Sequence, residues 1–267
     1  VTTVSKALAL LDLFTRNRPE IGLSDAARLS GLNKATCHRL LSDLAEHGLV
    51  EQTGPAREYR LGPAILHLAA LREAAVPMRE AAQPVLRDLA RTLQETVHLS
   101  VLAGERLQML AFAYSTAHAM TVRMEDADTL PFHATSSGLA VLAHGPRGLR
   151  DRVLAAPLPR LTGATVTDPA RLAGLIDAAA AQGFATITGS FEAEVASLAV
   201  PVFGPEGCVG ALAVAAPSHR LSPELAAAIR QHITEAAGRI STLWGGSVPP
   251  AIQLLWQAMR QPQNERA

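Results

Sequence analysis

Residues 23–61 read LSDAARLSGLNKATCHRLLSDLAEHGLVEQTGPAREYRL, and this stretch decides the N-terminal fold. Ala26, Ala27 and Leu29 recur at helical spacing behind Ser24, a candidate N-cap, and Gly31 stands where a C′ glycine ends a helix. After the tight SGLN turn, Asn33 predicts the cap of a longer helix that ends near His47-Gly48. On a wheel of about 100° per residue, Cys37, Leu40, Leu41 and Leu44 fall on one face, so that face is the buried one. Helix, glycine turn and helix make a helix-turn-helix over about 23–42. LVEQ and EYRL, joined by the turn-rich TGPAR, then predict a hairpin over 49–61, the position of a wing.

The face of the second helix opposite that apolar stripe presents Ala35 and Arg39, flanked by Thr36 and His38. Small residues beside long donors suit an element that enters a DNA major groove, where side chains must reach base edges or phosphates. From Arg28 to Leu41 there are three bases, Arg28, Lys34 and Arg39, and no acid; the wing adds Arg57 and Arg60. This local basic surface matters because the whole chain of 267 residues balances 24 basic against 24 acidic side chains. A hydrophobic fraction of 48% excludes a disordered chain, and the length allows two domains. Cys37 and Cys208 lie far apart without C-x-x-C spacing, which speaks against a thiolate zinc site or a disulfide framework and for a reducing, cytoplasmic compartment. The absence of ~18 consecutive apolar residues and of a signal-like N-terminus disfavours membrane spanning and secretion.

Outward from this unit, Val4, Ala7, Leu8, Leu11 and Phe14 predict an amphipathic helix ended by Arg18-Pro19, and Ile21 and Leu23 a short extended piece. Ala64 to Ala75 reads as a connecting helix, and Pro77 and Pro84 break or start a helix that ends near Glu95. VHLSVL, LQMLAF, MTVRM, FATIT, VASLAVPVF and CVGALAVAA are strand-like, with helices over Ala134 to Ala143 and Pro169 to Gln182. Ser222-Pro223-Glu224 starts a long last helix with cap, proline and acid in order. Consecutive strands outnumber crossover units, so the fold class is α+β with an antiparallel sheet carrying helices. The expected organisation is a DNA-binding domain over 1–62, a linker helix over 63–76, a second domain over 77–246 and a C-terminal extension over 247–267.

The segment from Leu23 to Gln52, with KATCHRLL at its centre, resembles the winged helix-turn-helix of the IclR-type transcriptional regulators, and YRLGPAIL resembles the junction to their linker helix. The resemblance continues through ETVHLSVL, LPFHATSSGLAVLA, TDPARLAGLIDAAAAQGFA, VASLAVPVF and VGALAVAAP, over about residues 1 to 245. It implies a GAF-like domain that binds a small effector, a homodimer or dimer of dimers, and operator DNA as a partner. Departures from the family pattern bear on the ligand. Leu139 stands where members commonly have Lys, Ser197 where they have Cys, and Ile187, Ala213 and Ala215 where members that bind small oxoacids have polar residues. Thr135, Ser136, Ser137 and Ser197 remain polar. If the ATSSG helix starts near Thr135, its free N–H groups and the hydroxyls of Ser136 and Ser137 suit an anion such as a carboxylate, or else these serines simply cap the helix. The expected effector therefore bears a carboxylate at Ser136-Ser137 and an apolar body, as an aromatic or branched acid does.

His133 can be a structural histidine or a ligand contact, and Glu125, Asp126 and Asp128 a metal set or a solvated turn; no metal or other cofactor is expected. Leu61, Ile65, Leu68 and Leu71 supply an apolar seam for two-fold pairing at a pseudo-palindrome. The chain has no G-x-S-x-G, H-E-x-x-H, Walker or G-x-G-x-x-G motif, and Cys208 sits at a strand start without an activating partner. An enzyme and a ligand-independent architectural DNA-binding protein are the alternatives to a regulator.

Overall fold

Thr2 opens helix α1 (Thr3–Leu11) by accepting the Ser5 N–H on its hydroxyl, at 3.2 Å. The helix stops at Leu11, short of Phe14, because the N–H groups of Leu13 and Phe14 bond the carbonyls three residues back and the chain turns. Strand β1 (Glu20–Ile21) leads into α2 (Leu23–Ser30). Here Gly22, extended, is the N-cap; the Ala26 N–H already bonds the Gly22 carbonyl, so Leu23 is helical and Ser24 lies in the first turn. Gly31 ends α2 in the left-handed region at φ 69°, where a side chain would be strained. Asn33 caps α3 (Lys34–Glu46), its side chain accepting the Thr36 N–H at 2.8 Å.

Cys37, Leu40, Leu41 and Leu44 of α3 are buried against Leu10, Ile21, Ala26, Val50 and Tyr59. Strands β2 (Val50–Thr53) and β3 (Glu58–Leu61) complete an antiparallel sheet in the order β1-β3-β2. Helix α4 (Ala64–Ala75) follows and leaves Leu66, Leu68 and Leu71 exposed.

The computed structural model describes residues 2–15, 18–75, 77–118, 120–123 and 129–260, and it divides into two units, Val1–Pro77 and Met78–Ala267. The second unit begins with α5 (Met78–Leu93). Pro84 lies inside this helix and does not end it, because Ala82, Val85, Leu86, Leu89, Ala90 and Leu93 form one buried stripe that packs the turns on both sides of it. The sheet contains β4 (Thr96–Ala103), β5 (Arg106–Ala113), β6 (Thr129–Leu130), β7 (Ala185–Thr188), β8 (Val195–Gly204) and β9 (Gly207–Pro217). Its order is β6-β5-β4-β9-β8-β7 with every neighbour antiparallel. Between β6 and β7 come α6 (Ser136–His144), α7 (Leu149–Ala155) and α8 (Pro169–Gln182). After a 3₁₀ turn (Ser218–Arg220) the chain forms α9 (Pro223–Leu243), capped by Ser222, and α10 (Pro250–Arg260). Helices α5 and α9 pack together against the sheet, and α6 with α8 packs against β7, β8 and β9; both faces of β8 and β9 are buried.

Two expectations about the second unit need correction. Met120–Arg123 of MTVRM is not a strand, since its carbonyls are taken by side chains: Thr96 donates to the Val122 oxygen at 2.9 Å and Arg220 to the Met120 oxygen at 3.0 Å. Met124 lies outside the described residues, and the short edge strand is instead β6, where Leu130 pairs with Leu107. Helix α6 begins at Ser136 rather than Ala134; the extension, to which the sequence assigned no element, carries α10 after α9.

Candidate functional site

On α3 the side away from the buried stripe exposes Lys34, Ala35, His38 and Arg39, with Thr36 half-buried beside them. Burial pushes the Cys37 thiol up, so it acts as a core side chain. The basic stretch is less bare than its sequence suggests, because acids just outside it reach in. Asp25 pairs with Arg28 at 2.8 Å, and Asp43, one turn along α3, lies 3.4 Å from Arg39. On the wing, Arg60 pairs across the strands with Glu51 at 2.7 Å, and the guanidinium of Arg57 donates to the Gln52 side chain. All these pairs are exposed. They hold the arginines with little energy, and a phosphate or base edge can compete for them.

In the second unit, a chamber forms where the N-terminus of α6 meets the sheet. Thr135 caps the helix by accepting the Gly138 N–H at 3.0 Å and donates to the Pro131 carbonyl at 2.9 Å. A Cβ on Gly138 would run into the Phe132 backbone, so glycine lets this turn close tightly. Ser136 Oγ lies 2.8 Å from Ser197 Oγ on β8, and Ser137 Oγ 3.3 Å from His98 Nε2 on β4. The inner chamber, about 40 Å³, is lined by His98, Thr135, Ser136 and Ser197 on its polar side, and by residues including Val122, Leu130, Ile187 and Ala215 elsewhere. Val122, Phe191, Glu192 and Val195 are shared with an outer cleft of about 540 Å³, which Met120, Thr121, Arg123, Glu194 and Pro217 also line.

The structure thus brings Thr135, Ser136, Ile187, Ser197 and Ala215 to one chamber. It does not bring Leu139 or Ala213 there. Leu139 lies a turn deeper in α6, Ala213 pairs with Ala199 one row beyond Ala215 and Ser197, and both are sealed in the core. Ser137 is also fully buried and reaches the chamber only through His98. His133 lies outside the lining; its Nε2 sits 2.9 Å from the Pro159 carbonyl, a structural bond.

Sequence reasoning missed His98. Its signal was present: Thr96, His98 and Ser100 alternate with Val97, Leu99 and Val101, which puts a polar row on one face of β4, and all three polar residues are buried. Desolvation pushes the His98 imidazole down to about 4, and its Nδ1 has no hydrogen-bond partner.

The wall formed by Met120–Arg123 is held in place. Besides the Thr96 bond, Arg220 grips both oxygens of the buried Glu95 at 2.7 Å while donating to Met120. Among the described residues no three His, Cys, Asp or Glu side chains are placed to hold a metal ion, and no helix is long and apolar enough to cross a membrane. Glu125, Asp126 and Asp128 lie outside the described residues.

Residues 3–54 match the family model of the IclR helix-turn-helix domain, and residues 71–242 match the bacterial transcriptional regulator IclR C-terminal domain. Among curated relatives, the glycerol operon regulatory protein of Streptomyces coelicolor is 30% identical over 237 residues, covering 86% of this chain and 92% of its own. The HTH-type transcriptional regulator XynR of Escherichia coli is 28% identical over 255 residues, covering 92% and 98%. A crystal structure from Silicibacter sp. TM1040, described as an IclR transcriptional regulator, is 51% identical with a TM-score of 0.86, covering 94% of this chain and 98% of that one. An IclR homologue from Microbacterium hydrocarbonoxydans, solved in complex with 4-hydroxybenzoate, is 28% identical with a TM-score of 0.56, covering 91% and 99%. The two family models follow one another along the chain in the order of its two units, and relatives are matched over most of their length: the chain belongs to the IclR family of transcriptional regulators.

Proposed function

We propose that this regulator reads a pseudo-palindromic operator as a dimer and is tuned by a monocarboxylate with an apolar body. In this reading Ala35, Thr36, His38 and Arg39 meet base edges, while Lys34, Arg57 and Arg60 hold phosphates. Helix α4 joins copies through Ile65, Leu68 and Leu71, with Leu61 at the end of β3. The observation that carries the ligand class is the composition of the inner chamber. Its polar side is the start of α6 with the Ser136–Ser197 hydroxyl pair and His98, Glu192 lines it where it is shared with the outer cleft, and the remaining lining is apolar. Free N–H groups at a helix start favour an anion. A chamber of about 40 Å³ holds a group of carboxylate size, and the body of the ligand extends into the outer cleft. The Microbacterium homologue in complex with 4-hydroxybenzoate, an aromatic monocarboxylate, supports the same class.

The test is calorimetry on a graded series of acids, namely glyoxylate, pyruvate, a branched acid, benzoate and 4-hydroxybenzoate, together with selection of operator sites from a random duplex library. Affinity should rise by about 0.8 kcal/mol per buried CH₂-sized increment until the cleft is full. Glyoxylate or pyruvate binding more tightly than every branched or aromatic acid would overturn the ligand reading. Equal affinity for selected and random duplexes would overturn the operator reading.

A further inference from the structure

His98 lines the chamber from the middle of β4, where it is 5% exposed. Its Nε2 faces the Ser137 hydroxyl at 3.3 Å, while Nδ1, also buried, has no hydrogen-bond partner. The Ser137 hydroxyl is fully buried, and among the described residues His98 Nε2 is the acceptor within reach of its proton. Donation from the hydroxyl to Nε2 is the arrangement that gives this proton an acceptor. That makes Nε2 the bare nitrogen of a neutral ring and leaves the ring proton on Nδ1. Desolvation, which pushes the imidazole down to about 4, keeps the ring neutral near pH 7.

Around the chamber's polar end, the first N–H groups of α6 at Ser136 and Ser137 have no intrahelical acceptor, and the Ser136–Ser197 pair retains a hydroxyl proton to give. With the Nδ1–H of His98 these are donors, contributed by a helix, by β8 and by β4, while Glu192, the acid of the lining, stands where the chamber is shared with the outer cleft. A group that only accepts satisfies such a set; an ionised carboxylate is one, and a primary amide, with its own N–H pair, is not.

We propose that His98 is a specificity-determining residue of the effector site, its Nδ1–H donating to one oxygen of the effector's carboxylate, and that Ser137 is the positioning residue that holds the ring in the donating tautomer. This rests on the carboxylate reading of the same chamber.

The test uses the full chain and two readouts. The first is the two-bond proton–nitrogen spectrum of the histidine rings, with the His98 signals assigned by their loss in His98→Asn. A neutral, Nδ1-protonated ring is expected in the wild type, with mixed tautomers in Ser137→Ala. A wild-type ring protonated on Nε2 overturns the proposal. The second readout is calorimetry with benzoate and benzamide. His98→Leu should bind benzoate about tenfold to a hundredfold more weakly, the loss of one hydrogen bond to a charged acceptor. His98→Asn, whose side-chain N–H falls near the Nδ1 position, should stay within about threefold of wild type. Benzamide should bind more weakly than benzoate to the wild type and lose this preference in His98→Leu.

If the wild type shows the expected tautomer but takes up none of the carboxylates, the carboxylate reading falls and the proposal with it. If it binds benzoate and a folded His98→Leu protein binds it equally well, the proposal alone falls. Should His98→Leu not fold, the ring spectrum and His98→Asn still decide, since loss of benzoate binding in a folded His98→Asn protein overturns the proposal.

Discussion

Arg39 lies 3.4 Å from Asp43 on the next turn of α3, and both side chains are more than half exposed. Such a pair contributes about 0.3–0.5 kcal/mol, so the guanidinium can leave it for a base edge at little cost. Arg39→Ala should cost about 1–3 kcal/mol at the selected operator and relax specificity at one position. Lys34→Ala, acting on a phosphate, should weaken all sequences alike and flatten the salt dependence by ~1 contact. Fluorescence anisotropy across a salt series separates the two patterns. His98 gives a second expectation, on stability. Its native value is about 4 against an ordinary value near 6.5, so as pH falls the unfolded chain takes up the proton first. The stability is intact above about 6.5 and lost on the way down to about 4, with ~2 kcal/mol gone by pH 5. Between pH 7 and pH 5 the wild type should therefore lose about 4–8 °C more in Tm than His98→Asn does, and equal losses would show that the ring titrates normally.

At the scale of elements, α4 leaves Leu68 and Leu71 at 53% and 54% exposure on one side of the helix, a face that pairing with a second copy would cover. Leu68→Glu combined with Leu71→Glu should yield monomers at micromolar concentration, with weakened operator binding; a dimer mass unchanged in sedimentation would remove this seam from the account. Helix α10 is held through Ile252 and Trp256, both buried in the core: Trp256 is 3% exposed, and its Nε1–H donates to the Gly183 carbonyl, at the end of α8, at 2.8 Å. Trp256→Ala should cost about 3–5 kcal/mol in urea unfolding, since it removes a large buried side chain and leaves a cavity. Most helices and most strands of the second unit were legible, though α7 was not expected. Lys34–Glu46 and Pro169–Gln182 follow from a cap residue and a repeating stripe, both local properties of the chain. Met120–Arg123 misled because its apolar residues resemble a strand, while bonds from Thr96 and Arg220, far away in sequence, set its backbone.

For the whole molecule, the proposed reading places operator and effector on different units, so regulation requires that the two binding equilibria be linked. If benzoate as a probe changes operator affinity by some factor, saturating operator must change benzoate affinity by the same factor, because the coupling free energy is one quantity measured from either side. Titrations in both orders check this, and two unequal factors would mean that one of the binding events is not what it is taken to be. The sequence by itself determined the order of parts: a helix-turn-helix with a wing, a helix, and an α+β unit built on an antiparallel sheet. It also determined which face of α3 is apolar, because helical and strand periods depend on residues only a few positions apart. Only the tertiary structure decided which polar atoms meet. Ser136 finds Ser197, Ser137 finds His98 and Arg220 finds Glu95 across 61, 39 and 125 positions of chain. These meetings depend on strand register and on how α6 packs against the sheet. That is why Leu139 and Ala213, in line with the ligand motif by sequence, fall into the core, while His98 comes to the chamber wall.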